Sequence, residues 1–211
     1  MTQEKLRIGI GGPVGSGKTA LIEALVPRVI AAGRTPAVIT NDIYSQEDAQ
    51  HVRLQLAGIL DPDRVLGIET GACPHTAVRD DPTINLAAGA EMFERHPQVD
   101  TLLYESGGDN LTLTFSPALA DIFVFVLDTS EGECQPRKRG PGITDSDVLV
   151  INKIDIAPYV HTNLDVMESD ARWVRNGKPV ILTDALTGDG VDVLLDQVLA
   201  LWDVRPTVLS R

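Results

Sequence analysis

Short apolar stretches recur along the chain, separated by segments of helix length that carry apolar residues on one face. The apolar stretches predict strands at residues 6–10, 37–40, 65–68, 101–105, 122–128, 147–152 and 179–182. Helices are predicted from about residue 18 to residue 33 and at 45–57, 76–95, 163–174 and 191–202. This alternation predicts an α/β fold, a doubly wound and mostly parallel sheet with helices on both faces.

The connections contain no linker, repeat or low-complexity stretch, so the chain is interpreted as a single domain over residues 1–211. Residues 203–211 are expected to form a loosely ordered tail. Pro27 lies inside the first predicted helix. Because proline removes one helical hydrogen bond, this helix is expected to kink or end early.

Composition narrows the class of protein. Of the 211 residues 43% are apolar but only 4% aromatic, so the core must be mostly Ala, Val, Leu and Ile. The net charge of −12 argues against a general binder of nucleic acids or anionic membranes. The chain shows no membrane-length apolar stretch and no signal-peptide core. The two cysteines, Cys73 and Cys134, suggest no disulfide framework, and we expect a cytoplasmic protein.

A glycine-rich motif lies between the first predicted strand and the first predicted helix. It fits G-x-x-x-x-G-K-[ST] at every fixed position and consists of Gly12, Pro13, Val14, Gly15, Ser16, Gly17, Lys18 and Thr19, followed by Ala20. Its glycines let backbone N–H groups surround a phosphate at the positive end of the helix. Lys18 is expected to neutralise the β- and γ-phosphates, and Thr19 is expected to hold Mg²⁺. The motif predicts a nucleoside triphosphate site.

Acidic residues follow two of the predicted strands at the same edge of the sheet. Glu105 ends the fourth strand and Asp42 follows the second. Ligands bind at this carboxyl edge in open α/β sheets, so both are candidates for a magnesium contact. Gly108, shortly after Glu105, could offer a backbone N–H to the γ-phosphate. The alternative for this segment is a solvated acidic turn.

A second motif, N-K-x-D, comprises Asn152, Lys153 and Asp155 and follows the sixth predicted strand. An aspartate can accept both the N1–H and the N2–H₂ of guanine, whereas adenine offers no matching pair of donors. Backbone contacts to the base are expected from the segment after the last strand, which contains Thr183, Asp184 and Ala185. Behind a phosphate-binding loop, this order predicts a GTPase.

Cys73 and His75 are separated by one proline and offer a thiolate and an imidazole to a transition metal. Two ligands are too few for a closed site. Two copies of the chain across a two-fold axis would supply four, which suits Ni²⁺ or Zn²⁺. On residue type alone, an ordinary buried cysteine beside a helix start is the alternative.

Together these motifs resemble the UreG family of urease accessory GTPases, in the SIMIBI class of P-loop GTPases. The resemblance is carried by residues 12–19, 41–44, 70–76, 105–110, 114–117, 137–144 and 152–155, and it fades after about Thr183. The C-P-H element together with E-S-G-G-D-N distinguishes this family from other P-loop GTPases.

The resemblance implies a P-loop NTPase fold and a metallochaperone that hydrolyses GTP to GDP and delivers nickel to apo-urease. It implies a homodimer formed with GTP and nickel, in which Cys73 and His75 of both chains hold Ni²⁺, with Zn²⁺ possible at the same site. Mg²⁺ would be held by Thr19 with Asp42, and by Glu69 or Glu105. The implied partners are UreD (also called UreH), UreF, UreE and apo-urease. Because no glutamine follows Gly108, hydrolysis is expected to be slow unless partners or dimerisation assist it.

Three alternatives stay open at this point: a hydrogenase-type nickel-insertion GTPase, a P-loop kinase of a small molecule, and a scaffold that binds nucleotide only to fold. Cys134 is either an incidental thiol or an extra soft ligand. The basic run 137–139 is either a solvated loop or a contact to nucleotide or partner. His51, His96 and His161 are interpreted as surface or locally hydrogen-bonded residues.

Overall fold

A computed structural model of the chain describes residues 4–42, 47–71, 75–108 and 110–205. Within these residues the strands are Leu6–Gly11 (β1), Pro36–Asp42 (β2), Val65–Glu69 (β3), Thr101–Glu105 (β4), Ile122–Asp128 (β5), Val148–Asn152 (β6) and Val180–Leu182 (β7). They form one sheet in the order β3-β2-β4-β1-β5-β6-β7. Every neighbouring pair is parallel. The predicted α/β fold class is confirmed.

The α-helices of the described chain are Lys18–Ala31 (α1), Glu47–Gln55 (α2), Thr83–Arg95 (α3), Pro141–Asp145 (α4), Leu164–Val174 (α5) and Val191–Asp203 (α6). Thr76–Asp80 forms a π-helical segment. Short 3₁₀ turns occupy Pro62–Arg64, Thr129–Glu131, Pro136–Lys138 and Ile154–Ile156.

Helices cover both faces of the sheet, as the sequence predicts. One face packs against α1, α2 and α6 through side chains such as Leu21, Val52 and Leu194. The other face packs against α3, α4 and α5 through side chains that include Met92 and Met167. Because both faces are covered, all seven residues of β5 are buried, which is typical of a parallel sheet.

Two predicted helices differ from the structure. Of the two effects expected of Pro27, a kink or an early end, the early end is wrong, because α1 continues to Ala31. Val29, beyond the proline, is fully packed in the core, and this burial stabilises the last turn. The single helix predicted over 76–95 is also wrong, because it is interrupted between the π-helical segment and α3. Pro82 lies at this break, and proline disfavours helical geometry in the residue before it.

Arginine side chains join the chain segments at the amino edge of the sheet. Arg7 in β1 forms an ion pair of 2.8 Å with Asp121, which precedes β5. Arg34, before β2, lies 3.5 Å from Asp100, which precedes β4. Arg175 donates hydrogen bonds to backbone carbonyls just before β6. These contacts fix the starts of five strands and leave the opposite edge to the loops.

At the C-terminus α6 ends at Asp203, and Arg205 lies 3.5 Å from Asp121. The rest of the predicted loose tail, residues 206–211, lies outside the described residues. Across the part of the chain that the structure describes, no helix has the length and apolar character needed to cross a membrane.

Candidate functional site

The glycine-rich loop connects β1, which lies between β4 and β5, to the N-terminus of α1. Gly17 has a φ of 92°, and a Cβ there would lie 2.4 Å from Nδ2 of Asn152. A side chain at this position is therefore excluded by both conformation and space. The Lys18 ammonium donates a hydrogen bond of 3.0 Å to the carbonyl of Pro13, so the buried lysine lies across the loop.

The first residue of α1 after this lysine contacts the end of β4. The hydroxyl of Thr19 donates a hydrogen bond of 2.6 Å to Oε1 of Glu105. Burial raises the pKa of Glu105 to about 7, against the opposing effects of this hydrogen bond and of Lys18. Its other oxygen, Oε2, is buried and has no hydrogen-bond partner. A hydroxyl beside an unsatisfied carboxylate oxygen fits the oxygen ligands that Mg²⁺ prefers.

Two further predicted carboxylates lie at the same edge. Asp42 ends β2 and Glu69 ends β3, and the two residues are direct neighbours in the strand register. Glu69 is exposed and Asp42 is partly buried. The N–H of Thr70 donates a hydrogen bond of 2.8 Å to the carbonyl of Asp42, which fixes the segment after β3 to β2.

Asp48 is a carboxylate of this region that the sequence reasoning missed. It lies in the first turn of α2, and its pKa is raised by burial and then by Asp42, while Lys18 lowers it. The side chain therefore lies within the field of the phosphate-binding lysine. Acidic residues are common in the first turns of helices, so the sequence contains no signal that would have singled it out.

The loop after β4 contacts the glycine-rich loop. A Cβ on Gly108 would lie 2.2 Å from Cγ2 and 3.1 Å from Cα of Val14. Only a glycine allows the two loops to approach so closely. The backbone of Gly108, predicted to contact the γ-phosphate, therefore lies beside the phosphate-binding loop.

Asn152 connects three segments at the end of β6. Its Nδ2 donates a hydrogen bond of 3.0 Å to the carbonyl of Ser16 in the glycine-rich loop. Its Oδ1 accepts from the hydroxyl of Thr183 at 3.0 Å and from the N–H of Ala185 at 3.1 Å. One buried amide thus fixes the N-K-x-D motif, the phosphate loop and the segment after β7.

A cavity of about 240 Å³ lies beside this amide. It is lined by Gly17, Ala20, Asn152, Lys153, Asp155, Ile156, Asp184, Ala185 and Leu186. The exposed carboxylate of Asp155 borders it, and the Lys153 ammonium lies 3.3 Å from Asp128 and donates to the carbonyl of Gly15. The arrangement provides a slot for a planar base with an acceptor at one edge.

The N–H groups after β7 already have partners within the chain. Those of Thr183 and Asp184 donate to carbonyls at 2.9 and 3.0 Å, and that of Ala185 donates to Asn152. In this structure the segment therefore contributes the wall of the cavity through Asp184 and Ala185.

Cys73 of the predicted metal pair lies outside the described residues. His75 is described; it is partly buried and immediately precedes the π-helical segment. A neighbouring cavity of about 370 Å³ is lined by Glu69, Thr70, Thr76, Ala77, Asp81, Thr83, Ile84 and Ala87. Among the described residues alone, no three His, Cys, Asp or Glu side chains are grouped to hold a metal ion.

The remaining candidates lie apart from these cavities. Nε2 of His51 lies 3.3 Å from Glu23, and His161 is exposed. Cys134 is an exposed free thiol. The basic run packs on α5, where Arg137 forms an ion pair of 2.5 Å with Asp170 and Arg139 lies 4.5 Å from the centroid of Trp173.

A strand, a glycine-rich loop and a helix that presents a buried lysine, set in a parallel sheet beside a base-sized cavity, define a P-loop nucleotide-binding protein. The sequence family described as CobW/HypB/UreG, nucleotide-binding domain, matches residues 6–182. The chain belongs to this family.

Curated relatives match over most of the chain. Urease accessory protein UreG 2 of Streptomyces griseus subsp. griseus is 75% identical over 192 residues, 91% of this chain and 85% of the relative. Urease accessory protein UreG of Yersinia pestis is 60% identical over 193 residues, 92% of this chain and 88% of the relative. The crystal structure of HypB from Helicobacter pylori in complex with nickel has the same fold, with a TM-score of 0.73 at 17% identity over 98% of this chain and 92% of that chain.

Proposed function

We propose that this chain is a GTP-hydrolysing metallochaperone that binds nickel and delivers it to apo-urease during maturation of the urease active site. The observation that carries the proposal is the 75% identity, over 91% of the chain, to a urease accessory protein. The arrangement of the phosphate loop and the base cavity, together with the C-P-H motif in the sequence, supports the same activity.

In this proposal GTP lies along the carboxyl edge of the sheet. Its guanine occupies the cavity beside Asn152 and donates to Asp155, while Lys18 contacts the β- and γ-phosphates. Thr19 and Glu105 hold Mg²⁺, with Asp42 or Glu69 as further contacts. Mg²⁺ supplies electrostatic stabilisation of the charge that develops on the phosphates during transfer.

Hydrolysis by the isolated chain is slow in this proposal. No glutamine follows Gly108 to orient a water molecule, and the buried carboxylate of Glu105 is engaged by Thr19. The missing group comes from a second copy of the chain or from an accessory partner, in the way that activating proteins complete other GTPase sites.

Nickel is the cargo of this protein. One copy supplies only Cys73 and His75, so a complete site requires both copies of a homodimer, and four soft or borderline ligands suit Ni²⁺ and also Zn²⁺. The proposal includes UreE as the nickel donor and UreF, UreD (UreH) and apo-urease as the receiving assembly. A thiolate ligand requires reduced cysteine, which agrees with a cytoplasmic location.

The test is the molar mass of the protein by light scattering after gel filtration. It is measured with GDP, with a non-hydrolysable GTP analogue, and with that analogue plus Ni²⁺. The proposal expects a dimer only with the analogue and nickel together, and its loss in the Cys73→Ala variant. Cys134→Ser is the matched control, because this exposed thiol lies outside the C-P-H motif, two residues before the 3₁₀ turn Pro136–Lys138, and the variant should dimerise as the wild type does. A mass that does not respond to nickel would contradict the proposed metal site.

A complementation experiment separates the proposal from its alternatives. A cell lacking its urease accessory GTPase should regain urease activity with this chain and lose it again with Lys18→Ala. A hydrogenase-type GTPase would instead restore hydrogenase, and a kinase would yield a phosphorylated small molecule. The HypB likeness establishes the fold alone and does not favour the hydrogenase alternative.

A further inference from the structure

Two asparagine side chains form a reciprocal hydrogen-bonded pair in the interior of the protein. Asn41 lies near the end of β2, and Asn85 lies in the first turn of α3. Nδ2 of Asn41 donates to Oδ1 of Asn85 at 3.1 Å, and Nδ2 of Asn85 donates to Oδ1 of Asn41 at 2.8 Å. Both residues have no exposed surface. We refer to them as the amide pair.

Each member of the amide pair makes one further hydrogen bond to the backbone. Asn41 donates to the carbonyl of Glu105 at 2.8 Å, at the end of β4. Asn85 donates to the carbonyl of Ala77 at 2.8 Å, in the π-helical segment that follows His75. All four amide hydrogens of the pair therefore take part in hydrogen bonds. The amide pair connects Glu105, which contacts Thr19, to the π-helical segment after His75.

Thr70, which precedes His75 in the chain, is attached to the same strand as Asn41, β2. Thr70 donates to the carbonyl of Asp42 from its N–H at 2.8 Å and from its hydroxyl at 3.1 Å. Thr70 is thus attached to Asp42, and Ala77 is attached, through Asn85, to Asn41. Glu105 is also the carboxylate that the proposed function places at Mg²⁺, and Asp42 is one of the two candidates for a further contact.

Burial makes this connection stiff. A buried amide that loses its partner leaves donors and acceptors unsatisfied, so the members of the pair are expected to move together. Two leucines have the same branched shape but are bulkier, and they impose no requirement for matched hydrogen-bond geometry. The amide pair instead specifies one position of Ala77 relative to Glu105, and a displacement at one end changes the other.

We propose that the Asn41–Asn85 amide pair is a positioning element that couples the nucleotide–magnesium site to the segment next to His75. The inference rests on the proposed function in one respect, that GTP and Mg²⁺ bind at the P-loop. It adds the route by which the nucleotide state reaches the metal-binding segment. By linkage, if bound nucleotide changes the affinity of this segment for a ligand, that ligand changes the affinity for the nucleotide by the same factor.

Hydrogen exchange read by mass spectrometry tests this coupling without any nickel. Peptides covering residues 75–82 are compared between the Mg²⁺–GDP state and the state with Mg²⁺ and a non-hydrolysable GTP analogue. In the wild type we expect protection of this segment to differ about tenfold between the two states. In Asn85→Leu the difference should fall below about twofold, while both nucleotide affinities stay within about threefold of wild type.

Tyr104→Phe is the matched control. The Tyr104 hydroxyl lies 3.5 Å from the backbone carbonyl of Asn85, so the variant removes a neighbouring buried contact and leaves the amide pair intact. It should keep the wild-type difference. If Asn85→Leu does not fold, the double variant Asn41→Leu with Asn85→Leu replaces both amides by apolar groups and takes its place. Asn85→Asp, which keeps an acceptor for Asn41 but loses the two hydrogen bonds donated to Asn41 and to the carbonyl of Ala77, provides a third test.

The outcomes separate this inference from the nickel proposal. Exchange differences that persist in all folded amide-pair variants would overturn the coupling role, as would a wild type without any difference. Loss of the difference in Tyr104→Phe as well would also overturn it, because any buried change would then suffice. A wild-type difference that disappears only with the amide pair, in a protein that never dimerises with nickel, would support the inference and contradict nickel delivery.

Discussion

The hydroxyl of Thr19 donates a 2.6 Å hydrogen bond to Oε1 of Glu105, and it joins the first turn of α1 to the end of β4. This contact brings together the two oxygen groups that the proposed Mg²⁺ site requires. The second oxygen of Glu105 is buried without a partner. A divalent cation would satisfy that oxygen, so nucleotide and Mg²⁺ should act on this carboxylate directly.

Replacing Glu105 with glutamine should reduce GTP hydrolysis. Glutamine keeps an acceptor for Thr19 but loses the charge that holds Mg²⁺, and removal of one preorganised electrostatic group costs about 10²–10³-fold in kcat. Release of inorganic phosphate, measured over a range of Mg²⁺ concentrations, checks this. GDP binding measured without Mg²⁺ should change less than about threefold.

Glu23→Gln is the matched control for that variant. Glu23 lies on α1 beyond Thr19 and pairs with His51 at 3.3 Å, and burial raises its pKa as burial raises that of Glu105. Its hydrolysis rate should stay within about twofold of wild type. Equal losses in both variants would show that general changes of charge near α1, and not Mg²⁺ binding by Glu105, set the rate.

The stability of the protein without Mg²⁺ should depend on pH through Glu105. Its pKa in the folded state is about 7, above the ordinary value of 4.5, because the carboxyl is buried. The folded state therefore retains a proton that the unfolded state has lost. The stabilisation is fully present below the unfolded pKa and disappears as the pH rises through about 7.

Through Glu105 alone, the free energy of unfolding should fall by about 2 kcal/mol between about pH 5.5 and about pH 8. Urea unfolding in the presence of a chelator, for wild type and Glu105→Gln, isolates it as the difference between the two pH dependences. Identical pH dependences would show that Glu105 is ionised in the folded protein. Addition of Mg²⁺ and nucleotide should reduce the wild-type loss, because the cation favours the carboxylate.

Asp155→Asn should change the base that the protein accepts. The carboxylate can accept two hydrogen bonds from guanine, each worth about 1.5–3 kcal/mol, so GTP affinity should fall about 10²- to 10⁴-fold. An asparagine can accept from N1–H and donate to the 2-oxygen of xanthine, so XTP should bind more tightly than GTP. Competition against a fluorescent nucleotide measures both, and an unchanged preference for GTP would remove Asp155 from base recognition.

Gly108→Ala should impair hydrolysis through a steric effect. The new Cβ would lie 2.2 Å from Cγ2 of Val14 and 3.1 Å from its Cα, which forces the two loops apart. We expect a fall in kcat of about tenfold or more with little change in thermal stability, because both loops lie at the surface edge of the sheet. The double variant Val14→Gly with Gly108→Ala removes the first clash and should recover part of the rate; no recovery would point to a different cause.

Much of the fold follows from local patterns. The strands are short apolar runs, and every predicted strand lies within two residues of an observed one because burial on both faces requires uninterrupted apolar residues. The ends of the helices follow less directly from the sequence, since the effect of a proline on a helix depends on tertiary packing. Pro27 does not end α1, where Val29 is held by the core, whereas Pro82 lies at a break between two differently wound segments.

The site divides in the same way. The phosphate loop and the base motif are each a short continuous stretch of sequence, so both can be recognised without the structure. The structure brings their residues Lys18, Thr19 and Asn152 to one edge of the sheet, together with Glu105. The amide pair joins residues from different elements, and no local pattern distinguishes Asn41 or Asn85 from an asparagine in a turn. Such a contact depends on how α3 is set against the sheet, which only the folded structure provides.

The arginine contacts at the amino edge of the sheet have a practical consequence for engineering. Arg7, Arg34 and Arg175 tie together the starts of the strands, at the opposite end from every residue proposed to contact nucleotide or metal. Thermal tolerance and turnover are therefore adjustable by separate sets of substitutions. A library of variants confined to the amino edge can be screened for heat resistance alone. Its most stable variants can then be combined with loop variants selected for a different metal or a different nucleotide base.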